Sequence, residues 1–229
     1  MGETGPAGGF WGLLSAADRA LLGAAGRTSV FGPGATMCVQ GEPATHVFIL
    51  LSGWVKVVSV TGEGQQAVVA LRGNGDVVGE LAGELTGYRT ASMYAIDRVQ
   101  SLVVPHDRFC AFLDGHPGAG RAYRHMITQR LYDAAERLRL RATTSGAQRL
   151  AHLLVELAER HGVADGQQVV IALPLSQGEL ASLVSASRAT VTRAFSDWRR
   201  RRLVRTSQRH VTITDMTALR RIAGPAGGR

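Results

Sequence analysis

Between Val30 and Val104 the chain cannot form a long helix or a long strand. Glycine turns interrupt it at GPG, QGEP, TGEG and RGNGD, and between them lie only strand-length runs rich in Val, Ile and Phe: HVFILL, WVKVVSV and AVVAL. Glycine takes positive φ at no steric cost, so each cluster permits a tight reversal. Many short strands at close spacing predict a barrel or jelly roll. A short helix over Ser15 to Ala25, with Ser15 as its N-cap, is expected before it.

The chain changes character after His116. HPGAGRAYRHMITQRLYDAAERLRLRATT has no strand signature, Pro117 suits a helix start, and Ile127, Leu131, Ala134 and Leu138 recur at spacings of 4, 3 and 4. That seam suits either packing on the helix's own domain or a parallel pairing with a second copy. A second helix is expected from about Ala147 to His161. LPLSQGELASLVSASRATVTRAFSDWRRRRLVRTSQRHVTITD then reads as helix, three-residue turn, helix and hairpin, the winged form of the helix-turn-helix. Ser176 with Glu179 forms a capping box for the first helix, and Ser187 caps the second.

The fold class expected is α+β: an antiparallel β-roll (jelly roll) over residues 1–116, a long helix over 117–144, which the family resemblance given below implies is a dimerisation helix, and a winged helix-turn-helix over 145–229. Charge divides along the same line. Residues 1–116 carry seven Lys/Arg against ten Asp/Glu and residues 117–229 carry nineteen against eight, which resolves the net +8 into −3 and +11. A basic second half without an apolar anchor points to nucleic acid ahead of membrane. No apolar run approaches the roughly 20 residues of a membrane span, and the N-terminus lacks the marks of a signal peptide, so a cytoplasmic protein is expected. Cys38 and Cys110 are too few for a cysteine-bound cluster, and neither a disulfide nor a metal is expected. The seven histidines are scattered, with no HExxH, GxSxG or Walker spacing, so an enzyme is not expected.

The second helix of a helix-turn-helix turns its N-terminal residues toward base edges. Arg188, Thr190, Thr192 and Arg193 occupy those first turns, and each arginine can give two hydrogen bonds to a guanine. Val184, Val191, Phe195 and Trp198 are expected to pack the helix on its domain. Arg199 to Arg202, with Arg205 and Arg209, are candidates for phosphate contacts. Ser176, Gln177 and Ser187, at the openings of the two helices, are counted with this interface.

Three stretches in this order, GEPATHVFILLSGWVKV, GELAGELTGYRTAS and LSQGELASLVSASRATVTRAF, resemble the CRP/FNR family of bacterial transcription regulators over roughly Phe31 to Thr214. The resemblance implies a cyclic-nucleotide effector, cAMP or cGMP, and as partners double-stranded DNA, a second copy of the chain and RNA polymerase. It makes Gly79 to Ser92 a phosphate cassette. The backbone of Gly79, Glu80, Leu81 and Ala82 would converge on the cyclic phosphate, with Arg89 as its charged fork. Glu80 would accept the ribose hydroxyl, and Thr90 and Ala91 would add donors. A buried arginine without a ligand is costly, so an internal Glu80 to Arg89 ion pair is the competing arrangement.

Two departures from the family pattern bear on specificity. Ala134 and Ala135 stand where the cyclic-AMP receptor offers Thr and Ser to the base, which puts adenine selectivity in doubt and leaves Arg130, Asp133, Arg137 and Arg141 as other base contacts. Ala189 replaces the glutamate of the family's reading helix, so the half-site is expected to differ there. Alternative readings are a nucleotide-binding module that acts on a protein partner, and a CRP-like DNA-binding protein that needs no ligand.

Overall fold

In a computed structural model of the chain, which describes residues 9–60, 62, 64–81, 87–172, 175–207 and 210–224, the polypeptide divides into two compact units, Met1–Leu131 and Tyr132–Arg229. The first opens with α1 (Gly9–Leu13) and α2 (Ala16–Ala25). Ser15 caps α2 through its side chain, which accepts from the Asp18 amide at 3.0 Å.

Eight strands follow: β1 (Arg27–Phe31), β2 (Thr36–Cys38), β3 (His46–Ser52), β4 (Val55–Val60), β5 (Gln66–Arg72), β6 (Val77–Val78), β7 (Ser92–Ala95) and β8 (Val99–Pro105). They form two antiparallel sheets, ordered β1-β8-β3-β6 and β2-β7-β4-β5. β3 explains why HVFILL is apolar without alternation. Val47 and Ile49 point to a helical layer, while Phe48 and Leu50 point to the facing sheet, and all four are buried. A strand covered on both faces has no polar face to show.

Two cores result. One lies between the sheets, with Phe48, Leu50, Val78 and Val103 against Val55, Met93 and Ala95. The other joins the outer face of the first sheet to α1, α2, α3 (His106–Gly115) and the start of α4 (Pro117–Thr143). Phe10 of α1 is fully buried and meets Phe109 and Tyr123 edge to face, at centroid distances of 5.9 and 6.3 Å. Helix α4 is 27 residues long. Ala119, Ala122, Tyr123 and Met126 belong to the first unit's core, whereas Leu131 and Leu138 of the heptad seam are 71% and 66% exposed.

The second unit contains α5 (Gly146–His161), α6 (Gln177–Leu183), α7 (Arg188–Arg200) and α8 (Met216–Ala223). A four-stranded sheet is ordered β11-β12-β10-β9, with β9 (Val163–Asp165), β10 (Gln168–Ala172), β11 (Val204–Thr206) and β12 (His210–Ile213). Leu150, Leu154, Ile171, Ile213 and Leu219 are fully buried there. The β9–β10 hairpin, α1, α3 and α8 are additions to the elements expected from the sequence.

Phe10→Ala removes an aromatic that α1 drives into the core, and such truncations cost about 3–5 kcal/mol. Thermal unfolding followed by circular dichroism should show a clear fall in the melting temperature of the first unit; an unchanged melt would mean that α1 does not pack there.

Candidate functional site

The chain turns back directly after β6 at Gly79, whose φ is +84°. A β-carbon at Gly79 would collide with Nη1 of Arg89. Both the dihedral and the close approach require glycine. Arg89 is anchored through its own backbone: its N–H donates to the Glu42 carbonyl at 2.7 Å and its carbonyl accepts from the Gly41 N–H at 2.9 Å. Its side chain is 2% exposed. Nη1 donates to the Gly79 carbonyl at 3.1 Å and Nη2 to the His46 carbonyl at 2.8 Å, with Cζ 5.5 Å from the centre of the Phe48 ring. Among the described residues no carboxylate is paired with this buried cation.

Glu80 is 4% exposed and its ion pair is with Arg130. Arg130 on α4 donates from Nη1 to Glu80 Oε1 at 2.5 Å, and from Nη2 to the Val77 carbonyl at 2.7 Å and to Asp76 Oδ1 at 3.3 Å. The internal Glu80 to Arg89 pair is therefore corrected: carbonyls hold Arg89, and a helix supplies the carboxylate's cation. Arg130 was expected as a base contact. Its face was readable, since Tyr123, Met126 and Arg130 recur at helical spacing and the first two are core residues.

Gly79, Glu80, Leu81, Arg89, Thr90 and Ala91 line one cavity of about 320 Å³, together with Val57, Ser59, Val69, Ala70, Arg72, Val78, Met93 and Arg130. Ala82 lies outside the described residues. Ala134 and Ala135 are exposed on α4 in the second unit. Among the described residues no group of three or more His, Cys, Asp or Glu could hold a metal ion.

In the second unit Ser176 accepts from the Glu179 N–H at 3.2 Å and Glu179 Oε2 accepts from the Ser176 N–H at 2.8 Å, which closes the capping box. The turn passes through Ser185 at φ +48°, and Ser187 caps α7 by accepting from the Thr190 N–H at 3.1 Å. Arg149 of α5 pins the turn. Its Nε and Nη2 donate to the carbonyls of Val184 and Ser185 at 2.7 and 2.9 Å, and Nη1 to that of Thr144 at 2.5 Å.

Val184, Val191, Phe195 and Trp198 are buried, and Phe195 and Trp198 stand edge to face at 5.9 Å. Arg188, Ala189, Thr192 and Arg193 are exposed along the opening turns of α7. Thr192 Oγ1 donates to Gln177 Oε1 at 2.5 Å, which joins α6 to α7. Arg199 bonds Thr206 Oγ1 at 3.2 Å and Arg205 bonds Gln168 Oε1 at 2.5 Å. Arg200 and Arg201 both pair with Asp197, at 2.6 and 3.3 Å, so part of the arginine run is neutralised locally. Arg209 lies outside the described residues.

Both halves of this arrangement match known families. Residues 28–116 match the cyclic nucleotide-binding domain and residues 148–222 the Crp-like helix-turn-helix domain. A CRP-like cAMP-activated global transcriptional regulator of Mycobacterium tuberculosis is 30% identical over 193 residues, covering 84% of this chain and 86% of the relative. The chain belongs to the CRP/FNR family of transcription regulators.

The global nitrogen regulator of Synechococcus elongatus is 28% identical over 192 residues, covering 82% of this chain and 86% of that protein. Among solved structures, FixK2 from Bradyrhizobium japonicum has the same fold, with a TM-score of 0.75 at 19% identity over 88% of this chain and 99% of that one. Apart from Arg130, the residues that line the cavity of this CRP/FNR regulator fall within the match to the nucleotide-binding family, and the exposed arginines of α7 fall within the match to the helix-turn-helix family. No helix among the described residues is long and apolar enough to cross a membrane.

Burial first, then the nearby Arg89 and Arg27, hold the His46 ring below its ordinary pKa of 6.5, against a weaker opposing pull from Glu42. A base whose folded pKa is depressed favours the native state above the unfolded value, and that stability is lost as pH falls from 6.5 through the folded value. Titration of the His46 ring by proton NMR should give a midpoint below 6.5; a midpoint at or above 6.5 would contradict this placement beside Arg89.

Proposed function

We propose that this CRP/FNR regulator is a homodimeric, cytoplasmic, non-enzymatic transcription factor that takes a cyclic nucleotide into the first unit's cavity and binds palindromic promoter DNA with α7. The observation that carries the reading is the guanidinium of Arg89, 2% exposed and held by neutral carbonyls on a cavity wall. An uncompensated buried charge is costly, and an anionic ligand would supply the missing countercharge. The backbone reversal at Gly79 brings the cassette close to that fork, and Thr90 and Ala91 add donors. The mycobacterial relative's name, with its cAMP activation, supports a nucleotide as the effector.

The ion pair between Glu80 and Arg130 suggests how the ligand acts. A ribose hydroxyl bonding to Glu80 competes with Arg130, and Arg130 belongs to the long helix α4. A ligand shifts an equilibrium only by its differential affinity for the two states, so exchange of partners at Glu80 is where that difference would arise. The exposed Leu131 and Leu138 of the same helix give a second copy an apolar seam. Pairing would set two α7 helices for half-sites about one helical turn apart, with Arg188 and Arg193 toward base edges and Arg199, Arg205 and Arg209 toward phosphates. RNA polymerase is the expected downstream partner. A ligand-independent regulator is the second reading, and the observation in its favour is that Glu80 already has a cation.

Calorimetric titration with a panel of cyclic mononucleotides and dinucleotides, on the unaltered protein and on Arg89→Ala, tests this. Binding by the unaltered chain and a loss of at least tenfold in affinity in the variant are expected, in line with removal of a charge-assisted fork. Equal affinity in a variant that circular dichroism shows to be folded would reject the site.

A further inference from the structure

From Arg188 to Ser196 the exposed residues of α7 are Arg188, Ala189, Thr192, Arg193 and Ser196, while Val191, Ala194 and Phe195 are buried. Spacings of 1, 3, 1 and 3 put the exposed five on one face of the helix. Within that face the two arginines flank a patch with no hydrogen-bonding group turned outward. Ala189 has none to offer. Thr192 has a hydroxyl, but its Oγ1 lies 2.5 Å from Gln177 Oε1 and 2.9 Å from the Arg188 carbonyl oxygen. Gln177 opens α6, so the first contact ties the two helices together, and the second is the back-bond that a helical threonine makes to the carbonyl four residues earlier. Turning the hydroxyl outward would break both. What Thr192 keeps for a partner is its methyl group, beside the Ala189 methyl three residues back.

We propose that Ala189 and Thr192 together read the 5-methyl group of a thymine, at a step beside a guanine read by Arg188 or Arg193. This rests on the reading of α7 as the helix that enters the major groove. There each base pair shows a distinct edge, and among the four bases thymine is the one that carries an apolar group on it. Two side-chain methyl groups have no donor for O6 and N7 of guanine, and they would leave the amino group of cytosine without an acceptor. Arginine forks on either side answer guanine in the same groove. At this step the chain therefore selects its base by burying a methyl group, and the hydroxyl of Thr192 serves α6 instead of the DNA.

Selection from a random duplex library by the full chain, with and without cyclic AMP and cyclic GMP, gives the preferred half-site. Gel-shift competition at fixed salt then compares that duplex with versions in which each thymine in turn is deoxyuridine, which lacks only the methyl group. At one thymine beside a guanine the change should weaken binding about fourfold, as loss of one buried methyl group does. Thr192→Ser keeps the hydroxyl and both of its contacts and removes the methyl group, and should narrow that ratio to about twofold or less. Thr192→Val keeps a methyl group and removes the hydroxyl, and should preserve the ratio. The base-analogue series on the unaltered protein holds even if a variant folds poorly. A half-site with no thymine beside a guanine, equal affinity for every deoxyuridine duplex, a ratio that survives Thr192→Ser, or one that Thr192→Val removes would each overturn the assignment while leaving α7 as the DNA-binding helix. Retention without sequence preference that fades with added salt would overturn both.

Discussion

One buried guanidinium organises the first unit. Arg89 is almost wholly withdrawn from water and is met by two carbonyls and an aromatic face, with no paired carboxylate among the described residues. Carbonyl oxygens and a ring face soften the desolvation of a cation and leave its charge uncancelled. Such a state persists only where the surroundings are fixed by stronger forces. Here they are: β3 is packed on both faces, the Gly41–Glu42 turn clamps the backbone of Arg89, and Gly79 alone lets the cassette approach the fork. The setting of this cation is prepared by the hydrophobic core.

Charge pairing near this cation is divided with economy. Glu80, nine positions before Arg89, is turned to Arg130, so the carboxylate leaves the cation at Arg89 uncancelled and is itself committed to a helix. A ligand that touches both residues would supply a countercharge at one and compete with a cation at the other. Only the second event bears on α4. On the proposed reading, binding strength and signal would fall to different side chains, and a change at Arg89 and a change at Arg130 would have different consequences for the molecule. In the second unit Arg149 has a comparable architectural part, since it joins the Thr144 carbonyl, directly after α4, to two carbonyls of the turn that precedes α7.

The sequence made local chemistry readable and long-range partnership obscure. The strands of the roll, the start of α4 at Pro117, the Ser15, Ser176 and Ser187 caps and the exposed opening of α7 each follow from residues within a few positions of one another. Arg130 and Glu80 are 50 residues apart, and helical spacing gives the face of Arg130 without naming what that face meets. The β9–β10 hairpin carried a signal at Asp165–Gly166, where Gly166 adopts φ +59°, yet β9 is only three exposed residues and had no apolar alternation to declare it. Helix α1 is five residues, too short for periodicity, and is made by one buried aromatic. Arg72 offered nothing as a sequence signal, because only pairing of β5 with β4 puts it on the cavity wall.

The central claim is that charge, supplied at Arg89, drives ligand binding. Thermal unfolding of the protein with cyclic GMP, compared with guanosine at the same concentration, isolates that term, since the two share base and ribose and differ in the cyclic phosphate. The account predicts a rise of several degrees with the nucleotide, as expected of a ligand well above its dissociation constant, and a shift of no more than about one degree with the nucleoside. Equal stabilisation by guanosine would show that the cavity recognises base and sugar without its buried cation, and would contradict the account.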